Sequence, residues 1–382
     1  MRASQLLWNA ATGWNGGGDA DSTDLVIYFG SRGMLENGQG FEALRRRFPL
    51  ARLVGCSTGG QIAGNDVRDD VMCALALGFE HTKIDVARTS ILDIGGSRAA
   101  GAEIGRALLR DGLAGIFVLS DGLHVNGSSL VEGIASVVGP QVPVSGGLAG
   151  DGADFALTLV GCDTPPEPNV IAAVGFYGDA IRLGHGSAGG WDVFGPMRKI
   201  TRSEGNVLYE VDGKPALDLY KLYLGPEESQ NLPGSALLFP MRIAHPRHPE
   251  RSVVRTILAV DHETGSMTFA GDMPLGWSAQ LMRGSISRLC GGAAQATQQA
   301  ITELGPEAAP TSAAILVSCI GRRLLMGQRI DEEIEAVGAE LPQSCVPVGF
   351  YSYGEITPHE GSGASQLHNQ TMTVTVLSER TS

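Results

Sequence analysis

The feature that most constrains this chain is an eight-residue motif that occurs three times, each time directly after an apolar, strand-like run. Each copy starts with valine and a small residue, has glycine at its seventh position and ends in a polar residue. The three copies are residues 54–61, 144–151 and 348–355. Glycine lets the backbone turn sharply, so each copy holds its last side chain at a strand end, where ligands of α/β sheets bind. We therefore predict that these turns gather polar groups around one hollow.

The same glycines also fit a plainer interpretation, in which each copy is a tight turn between two strands. Nucleotide binding has little support, because the chain contains no GxxxxGK[ST] phosphate-binding loop. No strand is followed by a helix that opens with GxGxxG either.

Apolar runs alternate with segments of helical spacing, which predicts an α/β fold with mixed (α+β) sheets. Residues 83–161 and 277–377 show the same order of strands and helices. The strands after their long helices, residues 116–120 and 315–319, are also similar in sequence. Such self-similarity indicates an internal duplication. We therefore predict two pseudo-repeated lobes, each a mixed β-sheet covered by helices.

The predicted domain boundaries follow from this pattern. Residues 1–23 end in a polar Gly/Asp/Ser stretch and indicate a loose N-terminal leader. Residues 24–190 are expected to form the first domain, and residues 191–377 the second.

Composition narrows the classes of partner. The chain has 382 residues, 43% of them hydrophobic, and a net charge of -13. An acidic surface repels phosphate backbones and anionic lipid, so we expect neither nucleic acid nor a membrane as partner. No apolar run reaches the roughly 18 residues of a membrane span, and no signal-peptide core follows Met1. Six cysteines without a CxxC pair indicate the reducing cytoplasm.

Reactive side chains follow apolar strands in both halves of the chain. The candidates are Asp121, His124, Cys319 and Arg322. Asp121 would orient a ligand amine, and Arg322 would clamp a carboxylate. The structural alternative is that Asp121 caps the following turn and Arg322 pairs with the acidic helix at residues 331–333. The repeated motif adds three further candidate contacts, Asp151, Tyr351 and Glu355.

His185 lies between glycines and is the best-placed imidazole for a pocket or an axial metal bond, although a histidine in such a turn is often exposed. The chain contains no HExxH pair and no GxSxG elbow. Cys319 has no His or Asn partner that the sequence identifies. A cysteine-dependent enzyme is therefore only the third interpretation, after two kinds of binding protein.

Several segments together resemble the FIST proteins, bacterial sensors that pair a FIST N and a FIST C domain. The matching segments are residues 25–29, 54–60, 145–152, 205–216, 318–322, 349–356 and 368–371. The resemblance covers residues 24–377 in order. It implies a non-enzymatic, small-molecule-binding sensory protein in bacterial signal transduction, with amino acids as proposed ligands. It also implies a separate output partner, such as a histidine kinase or a cyclic-dinucleotide enzyme.

Some stand-alone FIST proteins of similar length resemble haem-binding nitric oxide sensors. The resemblance therefore also implies a second candidate, a haem-containing gas sensor that regulates a histidine kinase. His185 is then the expected iron ligand, and His124 is the alternative. A haem ligand must be an accessible imidazole in a largely apolar cavity.

Overall fold

Three six-stranded mixed sheets form the body of the protein. The computed structural model describes residues 1–232, 234–305, 312–359 and 363–380. Each sheet contains one pair of neighbouring parallel strands, and antiparallel strands extend it on both sides. Helices cover the sheets. The predicted α/β class with mixed sheets is therefore confirmed.

The first sheet begins with the N-terminal strands. In spatial order it contains β11 (Val160–Cys162), β4 (Arg52–Ser57), β3 (Leu25–Gly30), β7 (Met72–Gly78), β1 (Arg2–Asn9) and β2 (Gly13–Gly16). Its helices are α1 (Arg32–Glu36) and α2 (Gln39–Arg47). β3 is buried at every position, which explains its uninterrupted apolar sequence, since a strand covered on both faces needs no polar side.

The segment predicted as a loose leader, residues 1–23, is instead part of this first sheet. β1 pairs with β7 from Arg2 to Trp8. Leu6 and Trp8 are buried and belong to the same apolar cluster as Phe41 of α2. Their two-residue spacing gives β1 one apolar face, which the polar stretch that follows it concealed at the sequence level.

The second and third sheets repeat this arrangement. The second contains, in spatial order, β25 (Ser365–His368), β24 (Gly354–Pro358), β10 (Val144–Leu148), β9 (Leu113–Ser120), β12 (Val170–Tyr177) and β8 (Lys83–Ser90). The third contains β13 (Ile181–Ala188), β26 (Met372–Glu379), β22 (Ser312–Cys319), β23 (Cys345–Ser352), β5 (Gln61–Ala63) and β6 (Asp66–Arg68). Their helices are α3 (Ser97–Leu108), α4 (Gly127–Val138), α6 (Ile286–Leu304), α7 (Ile320–Met326) and α8 (Asp331–Glu340). The predicted repeat is therefore present, and the first sheet adds a third copy.

Each copy of the repeat donates a strand to another sheet, and the exchange closes into a cycle. β5 follows β4 of the first sheet but pairs with β23 of the third. β24 follows β23 but pairs with β10 of the second sheet. β11 follows β10 but pairs with β4 of the first sheet. The repeated glycine motif lies at the start of each of these crossovers, so its copies connect strands of different sheets.

Residues 191–284 form a β domain inserted between β13 and α6. Its elements are β14 (Trp191–Glu204), β15 (Val207–Val211), β16 (Lys214–Pro215), α5 (Ala216–Ser229), β17 (Met241–His245), β18 (His248–Arg255), β19 (Ile257–Asp261), β20 (Ser266–Phe269) and β21 (Ser278–Gly284). The insertion has its own apolar core. The first and last strands of the insertion, β14 and β21, are neighbours, because Trp191 pairs with Gly284.

The insertion changes which strands correspond between the repeats. β13, rather than the predicted strand near residue 277, occupies the position that β8 has in the second sheet. The predicted boundary between residues 190 and 191 coincides with the start of the insertion, but α6 to β26 belong to the repeat body. A division into two domains at that point stays a prediction. Within the described ranges, no helix has both the length and the apolar character that crossing a membrane requires.

Candidate functional site

The three glycine motifs meet at the centre of the strand cycle. Backbone hydrogen bonds join them in a ring, from Gly59 N–H to Tyr351 O (2.8 Å), from Gly150 N–H to Ser57 O (3.0 Å) and from Tyr353 N–H to Leu148 O (3.2 Å). The polar residues that end the motifs are buried, namely Gln61, Asp151 and Glu355. Each of these side chains is hydrogen-bonded to protein groups. The turns thus converge, and their polar groups stabilise the crossing itself, whereas no residue of the three motifs is among those that line the cleft described below.

Asp121 holds the turn after β9. Its Oδ1 accepts hydrogen bonds from the N–H groups of Leu123 (2.8 Å) and His124 (2.7 Å), and its Oδ2 accepts one from Asn169 N–H (3.0 Å). Asp121 is fully buried, whereas the His124 side chain is 55% exposed and its Nδ1 lies 3.2 Å from Asp121 Oδ1. These contacts are those of the turn-capping alternative.

Asp151 joins distant parts of the chain. Its Oδ2 accepts hydrogen bonds from the N–H groups of Ala156 (3.0 Å) and Leu157 (2.9 Å) and pairs with Arg32 (2.9 Å). Its Oδ1 accepts a hydrogen bond from the Tyr353 hydroxyl. Burial alone would raise the pKa of Asp151, but these hydrogen bonds outweigh it and hold the pKa below its usual value.

Arg322 is fully buried, and its guanidinium binds groups of the protein. Nε donates to Glu333 Oε1 (2.6 Å), Nη2 donates to Leu289 O (2.8 Å), and Nη1 donates to Gly189 O. The Tyr351 hydroxyl donates to Glu333 Oε2 (2.9 Å). Glu333 belongs to the acidic helix that the sequence offered as the alternative partner of Arg322. Arg322 and Tyr351 thus lie in one buried network.

Cys319 and Glu355 lie deep in the same region. Cys319 is 1% exposed, and burial, followed by the nearby Glu355, raises the pKa of its thiol. A buried, protonated thiol is a poor nucleophile, which argues against the cysteine-dependent enzyme. Glu355 accepts hydrogen bonds from the Ser352 hydroxyl (2.7 Å) and from Thr371 N–H (3.1 Å) and Oγ1 (2.9 Å). Burial raises the pKa of Glu355 to about 8.

A cleft of about 1090 Å³ opens between the repeat body and the inserted domain. β13 and α6 line it from the body, β17 and β18 from the insertion, and the β24–β25 hairpin completes its wall. Among the predicted site residues, His185 lines the cleft. Glu355 lies directly behind Thr371, which also lines it. The remaining predicted residues lie in the networks described above.

Glycines on either side place His185 at the cleft. A side chain at Gly184 or Gly186 would collide with the backbone of α6, so these positions face the helix. Because side chains alternate along a strand, His185 points the other way. Its side chain is 3% exposed, and its Nδ1 lies 3.5 Å from Glu303 Oε2, which is longer than a hydrogen bond. His185 is therefore a buried wall residue rather than an exposed turn residue.

A second pair of imidazoles lines the cleft on the β24–β25 hairpin. The rings of His359 and His368 are stacked, with centroids 5.9 Å apart and planes at 11°. The buried Nε2 of His368 has no hydrogen-bond partner among the described residues. Burial, with His359 and Arg255 nearby, lowers the pKa of His368 to about 3, so the ring is neutral at pH 7.

The sequence analysis missed most of this wall. The polar side chains of α6 that face the cleft are Gln295, Gln298, Gln299, Thr302 and Glu303. Their spacing of three and four residues places them on one face of a helix, and this signal was available in the sequence. His359 and His368 meet only because β24 pairs with β25. In the described part of the chain, no cluster of three or more His, Cys, Asp and Glu side chains is arranged to hold a metal ion.

The proteins that this chain resembles include one of known sequence and one of known structure. An uncharacterized protein of Methanocaldococcus jannaschii, MJ1623, is 29% identical over 197 residues, which are 48% of this chain and 37% of that protein. The chain therefore spans little more than a third of that relative's length. The crystal structure of cyanuric acid hydrolase from A. caulinodans aligns with 95% of this chain and 91% of its own, at 10% identity and a TM-score of 0.39. A likeness at that TM-score supports no conclusion about activity.

Two family models match consecutive parts of the chain. The FIST N domain matches residues 24–214, and the FIST C domain matches residues 216–358. FIST domains are sensory modules of signal transduction that bind small ligands. The expectation drawn from the sequence motifs is thereby confirmed, and the chain belongs to the FIST family.

Proposed function

We propose that this protein is a sensor whose small-molecule ligand binds in the cleft beside His185. The observation that carries the proposal is a set of buried polar atoms, in residues that line the cleft, that make no hydrogen bond to a described residue. They are His185 Nδ1, Ser187 Oγ and His368 Nε2. A buried polar group without a hydrogen bond costs roughly 1–3 kcal/mol. A ligand that supplies the missing partners gains free energy of that order at each position.

An amino acid suits the charges of the cleft. Glu303, next to His185, offers a site for an ammonium group. Arg242, on the opposite wall, offers a site for a carboxylate. Such a ligand contacts both the repeat body and the inserted domain, so its binding favours one packing of the two over others. A separate output protein, such as a histidine kinase or a cyclic-dinucleotide enzyme, would respond to that difference.

The test is calorimetric titration with a panel of L-amino acids. Wild-type protein should bind at least one of them, and His185→Ala should weaken that binding about tenfold, the equivalent of about 1.4 kcal/mol. His124→Ala is the matched control, because it removes an exposed imidazole outside the cleft. Equal affinities of His185→Ala and wild-type protein, or no binding by any amino acid, would contradict the proposal.

The second candidate is a haem-binding nitric oxide sensor that regulates a histidine kinase. His368 favours it, because a neutral imidazole whose Nε2 has no hydrogen-bond partner among the described residues is the form in which histidine binds a metal. The wall also includes apolar side chains such as Trp191, Val254 and Met282. Haem would supply the iron that binds the gas, and His185 or His368 would hold it.

Absorption spectra distinguish the two candidates. Apo-protein titrated with haem should give a saturable Soret band, which shifts when nitric oxide is added. His185→Ala or His368→Ala should lose the ligated spectrum, while His124→Ala keeps it. The haem candidate is refuted if haem gives the same spectrum with wild-type protein as with the variant that lacks both His185 and His368.

A further inference from the structure

The free edge of β13 runs along the cleft. β13 is the outermost strand of the third sheet, and only β26 pairs with it among the strands that the structure describes. Residues 185–190 line the cleft one after another. The wall is therefore a strand edge, which presents backbone groups as well as side chains.

Two side chains of α6 occupy the hydrogen-bonding positions of this edge. His185 N–H donates to Glu303 Oε2 (2.7 Å), and Ser187 N–H donates to Gln299 Oε1 (3.0 Å). Along a strand, alternate residues direct their N–H groups to the same edge, so this spacing is that of a β-ladder. The two side-chain oxygens thus stand where the carbonyl oxygens of a neighbouring strand would lie.

One of these side chains is in a position to leave. Glu303 is on the surface of α6 with its side chain 50% exposed, so its carboxylate regains water when it rotates away. Beside the two N–H groups, Ser187 Oγ is buried without a hydrogen-bond partner among the residues described, and His185 Nδ1 lies 3.5 Å from the same Glu303 carboxylate. Rotation of Glu303 would therefore release the His185 N–H for another acceptor.

We infer that the cleft binds a short extended peptide that adds to β13 as a further strand. Its carbonyl oxygens replace Glu303 and Gln299 at the N–H groups of His185 and Ser187. This inference rests on the proposed ligand-binding function of the cleft and narrows the ligand class from amino acids to peptides. The cleft volume of about 1090 Å³ suits it, since pockets for drug-sized ligands hold roughly 300–1000 Å³.

The side chains of a bound strand would face two different surfaces of the cleft. Successive side chains of an added strand point to opposite faces of the sheet. One set therefore faces the polar row of α6, which includes Gln295 and Gln298. The other set faces the side of the sheet to which His185 points. Peptide selectivity should then alternate along the bound segment.

Edge strands are also covered by side chains simply to prevent unwanted pairing, and that alternative predicts no peptide binding. The test measures the affinity of wild-type protein for L-alanine, dialanine, trialanine and tetra-alanine by calorimetry. Affinity should rise about tenfold or more from alanine to tetra-alanine. Tetra-alanine that is N-methylated at every amide has no N–H group for either edge of a ladder and should lose that gain.

Variants of α6 provide a second test of strand addition. Gln299→Ala removes the side chain that covers the Ser187 N–H, and this variant should bind tetra-alanine about threefold more tightly, because one competing hydrogen bond is gone while Glu303 stays in place for the ammonium group. Thr302→Ala is the matched control, since its hydroxyl bonds to Gln298 O within α6 and covers no strand N–H. Circular dichroism confirms that each variant is folded.

The outcomes separate the two proposals. Binding of amino acids without any gain from peptide length, or with equal affinity for the N-methylated peptide, overturns strand addition and leaves the sensor function standing. An unchanged affinity of Gln299→Ala for tetra-alanine also counts against strand addition. If neither the amino acid panel nor the peptides bind, the proposed function and this inference both fail.

Discussion

Replacement of Arg322 by methionine is expected to destabilise the protein without weakening ligand binding. The variant keeps an unbranched side chain of similar length but leaves the fully buried carboxylate of Glu333 without its cation. Removing one partner of a buried ion pair costs roughly 3–5 kcal/mol. The backbone oxygen of Leu289 also loses its hydrogen-bond donor. We therefore expect the free energy of unfolding to fall by about 3–5 kcal/mol.

A double-mutant cycle isolates the ion pair from the packing change. Glu333→Gln removes the buried negative charge while keeping an oxygen that can accept from Tyr351 and Ser318. Arg322→Met combined with Glu333→Gln should therefore be more stable than Arg322→Met alone. We expect a coupling free energy of about 2 kcal/mol, within the range for residues in one buried network.

The assay is urea denaturation at pH 7, followed by tryptophan fluorescence and circular dichroism on the four proteins of the cycle. Calorimetric titration with the best ligand of the amino acid panel runs in parallel. The reasoning is refuted if Arg322→Met unfolds at the wild-type urea concentration and yet no longer binds the ligand. That result would make Arg322 the carboxylate clamp that the sequence first suggested.

Three further substitutions test other parts of the structure by urea denaturation. Backbone N–H groups of the β7–β8 loop lower the pKa of Glu379 to about 2 against the opposing effect of burial. Glu379→Gln should therefore lower the free energy of unfolding by about 2–3 kcal/mol at pH 7. The difference between variant and wild-type protein should shrink as the pH falls from about 4.5 to 2, because the wild-type carboxylate becomes protonated. A stability difference that does not change with pH would contradict this prediction. Gly186→Ala should lower the free energy of unfolding by about 1–3 kcal/mol, because the added methyl group pushes α6 away. Gly291→Ala is the control and should not destabilise the protein, because open space surrounds that position. Trp8→Ala should lower the free energy of unfolding by about 3–5 kcal/mol, because Trp8 is buried. A negligible change would favour the loose leader that the sequence predicted.

Local sequence was sufficient for the fold class because the relevant signals lie within short segments. The run of β3 is apolar at each buried position, and the glycine motif marks three equivalent crossovers. The role of β1 was missed because its buried residues, Leu6 and Trp8, precede a polar stretch that dominated the interpretation. The strand exchange was also missed, because the pairing of β5 with β23 joins segments almost three hundred residues apart.

The sequence by itself determined the building blocks of this protein: its strands and helices, the repeated crossover turn and the FIST signature. The tertiary structure alone decided which polar side chains stabilise the fold and which line the cleft. Arg32 and Asp151 are 119 residues apart in the sequence, and Gln299 is 112 residues from Ser187, whose N–H it covers. A hydrogen bond depends on distances in space, so a side chain's availability is settled only when distant segments have packed together.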